Sequence, residues 1–102
     1  MNTDEKLGVF MIKLQEWYKS QCDGDWEHQF GIAIDTLDNP GWTIKIDLAE
    51  TQWENVTVAP MNDYKNESDF LFYAIEDKKF DGSSSIDNFA RILEAFFEII
   101  ER

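Results

Sequence analysis

The sequence predicts an α+β fold in which a four-stranded antiparallel sheet carries an N-terminal and a C-terminal helix on one face. Apolar residues recur at helical steps near both ends of the chain, and they alternate with polar residues on either side of a Pro-Gly turn. Short connections between the strand-like segments favour antiparallel neighbours. The predicted order is α-β-β-β-β-α, and 102 residues fit one domain spanning residues 1–102.

The first predicted helix covers residues 4–21. Its apolar residues recur at spacings of three and four residues, which places them on one face of a 3.6-residue period: Leu7, Phe10, Met11, Leu14, Trp17 and Tyr18. Asn2 or Thr3 can cap the first turn. The segment 22–25 breaks the period, so we expect the helix to end before it.

The next segment predicts an antiparallel hairpin. From Trp26 the sequence alternates with a period of two, which is typical of a half-buried strand. One phase carries Trp26, His28, Phe30, Ile32 and Ile34, and the other carries Glu27, Gln29, Gly31, Ala33 and Asp35. Residues 38–41 predict a type II turn, because Pro40 presets φ and Gly41 accepts a positive φ. Alternation resumes in the second strand with Trp42, Ile44, Ile46 and Leu48.

The second half of the chain predicts two further strands and the second helix. A third strand is expected near 53–59, followed by a polar loop over 61–68, and the aromatic-rich run 70–75 predicts the fourth strand. Residues 81–85 are rich in Gly and Ser and predict a flexible loop. An apolar stripe at helical spacing then runs from Ile86 to Ile100.

The net charge excludes two classes of partner. Twenty-one acidic and nine basic residues give a formal charge of -12. Nucleic-acid binding depends on Lys and Arg that neutralise phosphates, and an anionic membrane would repel this chain, so neither is an expected partner. The charge is also regional: residues 20–64 hold nine acids and one base, whereas the acids and bases of residues 1–19 balance.

The regional charge has two interpretations. Acidic surface residues favour solubility, and an acidic patch also attracts and orients a basic partner protein. Under the second interpretation, the candidate contact residues are the carboxylates of the hairpin region and its flanking segments: Asp23, Asp25, Glu27, Asp35, Asp38, Asp47, Glu50 and Glu54.

The sequence predicts no catalytic residue, metal site or cofactor. His28 is the single histidine, and its place on the apolar phase of a strand indicates a core or sheet-edge residue. Cys22 lacks the basic neighbours that activate a nucleophilic thiol. The carboxylates of residues 23–27 occupy alternate positions but lack the spacing of a calcium-binding EF-hand loop. Among the tryptophans, Trp17, Trp26 and Trp42 are expected in the core, and Trp53 in either the core or an interface.

The expected location is the cytoplasm. The N-terminus lacks the basic segment and apolar run of a signal peptide, and no stretch reaches the roughly 18 apolar residues of a membrane span. A single cysteine allows no internal disulfide.

Four stretches of the chain together carry a resemblance to a known family. They are Trp17-Tyr18, the run Gln21-Cys22-Asp23-Gly24-Asp25-Trp26-Glu27-His28, the run Thr36-Leu37-Asp38-Asn39-Pro40-Gly41-Trp42, and Ile46-Asp47-Leu48. These stretches resemble the immunity protein 53 family of bacterial polymorphic toxin systems. In such systems a small immunity protein is encoded beside a toxin. The resemblance implies that this protein binds and neutralises a cognate toxin without catalysis.

The leading hypothesis is therefore an immunity protein whose acidic surface binds a basic toxin. If that toxin is a nuclease, the acidic surface would mimic its nucleic-acid substrate. The alternative is a small-molecule-binding domain or a hydrolytic enzyme that uses carboxylates and His28 in a cleft beside Trp26. The protein itself is expected to be a monomer or a weak homodimer that pairs through the open sheet face.

Overall fold

The computed structural model describes residues 2–102 and confirms the α+β class, with the long helices against one face of an antiparallel sheet. The sheet has five strands in the order β1-β2-β5-β4-β3, rather than the four predicted. Along the chain the elements are α1 (Thr3–Gln21), α2 (Trp26–Gln29), β1 (Ile32–Leu37), β2 (Gly41–Asp47), β3 (Val58–Asn66), β4 (Asp69–Glu76), β5 (Lys79–Ser84), a 3₁₀ turn (Ile86–Asn88) and α3 (Phe89–Ile100).

Helix α1 agrees with the prediction and begins one residue earlier. Asn2 caps it, because its Oδ1 accepts a hydrogen bond from the Glu5 amide at 2.8 Å. Leu14 and Trp17 of the predicted apolar face are buried, whereas Met11 and Tyr18 are 38% and 39% exposed. The rest of the protein therefore covers only part of the apolar face of α1, and the remainder is exposed to solvent.

Residues 26–29 form helix α2, so the prediction of a strand beginning at Trp26 is wrong. Asp23 initiates this helix, because its Oδ1 accepts hydrogen bonds from the amides of Asp25 and Trp26, both at 2.9 Å. Trp26 is buried, as predicted, and its Nε1 donates to the Ala49 carbonyl at 3.0 Å. The same helix leaves His28 exposed, which corrects its predicted core or sheet-edge position.

Two segments predicted as loops belong to strands. Residues 61–66 lie in β3 and residues 81–84 in β5, whereas the predicted third strand contributes only residues 58–59. Strand β5 lies between β2 and β4 and pairs with both. This pairing on two sides stabilises a strand whose Asp, Gly and Ser residues have low intrinsic strand propensity.

The β1–β2 connection differs from the predicted type II turn at Gly41. The φ of Gly41 is not positive, so conformational freedom is not the reason for a glycine here. A Cβ at this position would lie 2.3 Å from the backbone oxygen of Ser84 on the neighbouring strand β5. The glycine instead permits the close approach of β2 and β5.

The core lies between the sheet and helices α1 and α3. Phe96 of α3 is fully buried, and its ring meets Trp17 and Phe80 edge-on with centroid distances of 5.4 and 5.1 Å. Trp53 packs against Trp17 and donates from Nε1 to the Ile100 carbonyl at 3.1 Å, so it borders the core. Trp42 lies half-buried at the margin of the core. Within residues 2–102, the other face of the sheet carries no helix.

Candidate functional site

Six of the eight candidate carboxylates lie at one end of the sheet. The Trp26 bond to Ala49 joins α2 to the segment after β2, and the Leu48 amide donates to the Lys78 carbonyl at 2.8 Å, which joins that segment to the β4–β5 turn. We call residues 23–27, 47–54 and 76–79 the acidic end. It contains Asp23, Asp25, Glu27, Asp47, Glu50 and Glu54 from the predicted set.

The acidic end is strongly negative even after its ion pairs are counted. With Glu76 and Asp77 it holds eight carboxylates, against the two ammonium groups of Lys78 and Lys79. Lys78 lies 3.3 Å from Glu54, and Lys79 lies 3.9 Å from Asp47. These partly exposed pairs neutralise two carboxylates and leave a net charge of -6 at one end of the molecule.

Asp23 and Glu27 use their carboxylates to hold the α1–α2 connection. Glu27 accepts hydrogen bonds from the amides of Asp23 and Gly24 at 3.0 and 2.9 Å. Backbone donors lower the pKa of both carboxyls: the amides of Trp26 and Asp25 act on Asp23, and its own amide and those of Asp23 and Gly24 act on Glu27. Both groups therefore remain charged at neutral pH while they order the loop.

Asp47 and Glu54 also have partners within the protein. Asp47 accepts from the Gly31 amide at 2.9 Å, which ties the start of β1 to the end of β2. Glu54 accepts from the Glu50 amide at 3.3 Å, and this bond together with Lys78 lowers the pKa of the Glu54 carboxyl. Replacing either residue would change local structure as well as charge.

Asp25 and Glu50 differ from these four residues. Both are exposed, and within residues 2–102 neither carboxylate makes a hydrogen bond or an ion pair. Their charges are available to a partner without loss of any internal contact. These two residues are the best positions at which to test binding separately from folding.

The remaining candidates, Asp35 and Asp38, lie apart from the acidic end. Asp35 is exposed on β1, opposite Thr43 of β2, and its Oδ1 accepts from the Thr36 amide at 2.7 Å. Asp38 is exposed in the β1–β2 turn, beyond the far end of the strand. The eight predicted residues thus form one group of six at the acidic end and an outlying pair along and beyond β1.

The features proposed for an enzyme do not converge. His28 is exposed on α2 and lines neither of the two depressions described below. Cys22 is exposed, and its Sγ contacts the Tyr18 carbonyl at 3.2 Å. Among residues 2–102, no group of three or more His, Cys, Asp or Glu side chains has a metal-binding arrangement.

Two depressions contain residues that sequence reasoning did not select. One, of about 420 Å³, lies on the open sheet face and brings Lys45, Lys79 and Asp81 together. The other is a groove of about 520 Å³ between α1 and the start of β1, lined by Met11, Ile12, Leu14, Gln15, Tyr18, Gly31 and Ile32. The sequence signal for this groove was the apolar face of α1, which includes Met11 and Tyr18 and is wider than the part that is buried.

Comparison with known proteins identifies the family of this chain. In residues 2–102, no helix combines the length and apolar character needed to cross a bilayer. Searches of curated proteins and of solved structures gave no match. The sequence profile described as Immunity protein 53 matches residues 11–101, which is most of the chain. The protein therefore belongs to the immunity protein 53 family.

Proposed function

We propose that this protein neutralises a cognate toxin by binding it, and that the acidic end provides the electrostatic contact. The observation that carries the proposal is the net charge of -6 at the acidic end of a chain from an immunity protein family. Charge concentrated on one surface accelerates encounter with a basic partner and fixes its orientation. The proposed toxin surface is accordingly rich in Lys and Arg.

A nuclease is the toxin class that best fits this surface. Nuclease substrates present closely spaced phosphate charges, and the enzyme meets them with a basic groove. Carboxylates at the acidic end would occupy the same groove in place of phosphates. A duplex oligonucleotide should then compete with this protein for the toxin, which a fluorescence-anisotropy titration measures. Simultaneous binding of oligonucleotide and protein would contradict substrate mimicry but not toxin binding.

The electrostatic proposal is tested by reversing the charges of Asp25 and Glu50, two carboxylates of the acidic end that have no internal partner within residues 2–102. We expect the variant Asp25→Lys/Glu50→Lys to associate about tenfold more slowly with the toxin encoded beside this gene at low ionic strength, because steering is lost. Stopped-flow association at several salt concentrations measures the effect. The slope of the on-rate against salt should also decrease in the variant.

The matched control is Glu67→Lys/Glu98→Lys. Both residues are exposed, lie outside the acidic end and form no ion pair within residues 2–102, and the double reversal changes net charge by the same amount. We expect its on-rate to stay within about twofold of the wild type, since the acidic end is intact. Equal slowing in both variants would show that total charge, and not the acidic end, governs association.

A further inference from the structure

The two edges of the sheet differ in how well they are protected against an added strand. Edge strand β3 contains Pro60 and Lys65 and has two register shifts against β4. Proline, lysine and bulges are the features with which natural sheets block edge pairing. Edge strand β1 has the sequence Ile-Ala-Ile-Asp-Thr-Leu, keeps a regular register with β2, and has none of them. Strand β1 is therefore the open edge.

The hydrogen-bond pattern shows which backbone groups of β1 are available. The Asp47 amide donates to the Gly31 carbonyl at 3.1 Å, so residues 31 and 47 form a hydrogen-bonded pair. Such pairs alternate along an antiparallel ladder. With the observed register, Ala33 and Asp35 bond to β2, and the backbone groups of Ile32 and Ile34 point to the free edge.

Apolar side chains lie beside this free edge. Ile32 and Ile34 are on the face of β1 that also bears the helices, because they pair with the buried Ile46 and Ile44 of β2. Ile32 lines the groove against α1, whereas Ile34 is 43% exposed. On the α1 side of the groove Ile12 is 59% exposed. An added strand would cover these side chains with every second residue of its own.

The acidic residues around β1 indicate which side chains an added partner strand should carry. Asp35 lies on the opposite face of β1, Asp38 follows the strand, and the acidic end begins at the Gly31–Asp47 contact. In an added strand, the side chains that alternate with the apolar ones point to the opposite face. Basic residues at those positions would bring positive charge close to Asp35, Asp38 and the acidic end. A second copy of this chain, with its charge of -12, would instead place like charges on both sides of the edge.

We propose that the toxin binds by adding an extended segment to the free edge of β1, with apolar side chains in the groove between α1 and β1 and basic side chains beside Asp35. This inference rests on the proposed function and specifies how the contact is made. Main-chain hydrogen bonds to residues 32 and 34 supply affinity, and the groove and the carboxylates supply specificity.

Residue-resolved hydrogen exchange on the full-length protein tests the backbone contact directly. In the free protein the Ile34 amide should exchange fast and the amides of Ala33 and Asp35 slowly. In the complex with the purified toxin encoded beside this gene, exchange at Ile34 should slow by about tenfold or more. A complex that forms while Ile34 stays unprotected would overturn the inference and leave the proposed function standing.

A proline variant provides the second measurement. Ile34→Pro removes an amide that β2 does not use, so β1 should remain paired while strand addition is blocked. We expect at least about tenfold weaker toxin binding by calorimetry than in the reference variant Ile34→Val, which keeps both the amide and an apolar β-branched side chain. Wild-type affinity in a folded Ile34→Pro variant would contradict strand addition.

Two further outcomes separate the inference from its premises. Absence of any complex between the wild-type protein and the toxin would refute the proposed function, and the strand-addition inference with it. Protection of Ile34 that rises with protein concentration in the absence of toxin would show that a second copy occupies the edge, and this too would overturn the inference.

Discussion

At the residue scale, the carboxylates of the acidic end divide into two groups. Asp23, Glu27, Asp47 and Glu54 accept backbone hydrogen bonds that fix the α1–α2 connection and the segment after β2. The sequence analysis placed all four among the binding candidates, because the sequence of acidic residues does not show which carboxylates accept hydrogen bonds within the protein. That division depends on the turn geometry around α2, which alternation of residue types did not predict.

The internal role of Glu27 leads to a pH-dependent prediction. Because its pKa is lowered in the folded state, its contribution to stability is present above the ordinary carboxyl pKa and is lost as pH falls through the folded value. The difference in free energy of unfolding between wild type and Glu27→Gln should therefore be largest near pH 7 and shrink below about pH 4. Urea denaturation at a series of pH values measures it. A difference that does not change with pH would contradict the assigned role.

At the scale of elements, the sequence predicted the helices and strands that have a strong apolar periodicity. It did not predict those whose structure depends on pairing with neighbouring strands. Helix α1, strands β2 and β4 and the terminal helix follow the predicted segments. Strand β5 was missed because its residues favour a loop, and its pairing with β2 and β4 decides its structure. The third strand was predicted too early in the chain and overlaps β3 only at residues 58–59, because an irregular edge strand alternates poorly. Residues 26–30 were assigned wrongly because so short a run fits either period.

The packing of α3 on the sheet is tested by truncating its central side chain. Phe96 is fully buried between Trp17, Phe80 and Phe97, so Phe96→Ala should lower the free energy of unfolding by about 3–5 kcal/mol. Chemical denaturation gives the value. Ile86→Ala, at a side chain 54% exposed in the preceding turn, is the control and should cost less than about 0.5 kcal/mol. Similar losses in both variants would refute this description of the core.

At the scale of the whole molecule, the acidic end lies next to the start of β1, the open edge strand of the sheet. The sequence predicted the imbalance of residues 20–64, and the fold adds the β4–β5 turn to it through the Leu48–Lys78 contact. That addition could not be predicted, because it depends on the central position of β5. The groove beside β1 depends likewise on how far α1 covers the sheet, which helical periodicity does not determine.

The central claim, that this protein neutralises a toxin by binding it, is tested most directly by growth. Bacterial cells would produce the cognate toxin, with and without this protein. We expect the wild-type protein to restore growth, and Asp25→Lys/Glu50→Lys to restore it less well than Glu67→Lys/Glu98→Lys. Continued growth arrest in the presence of abundant, folded wild-type protein would contradict the claim.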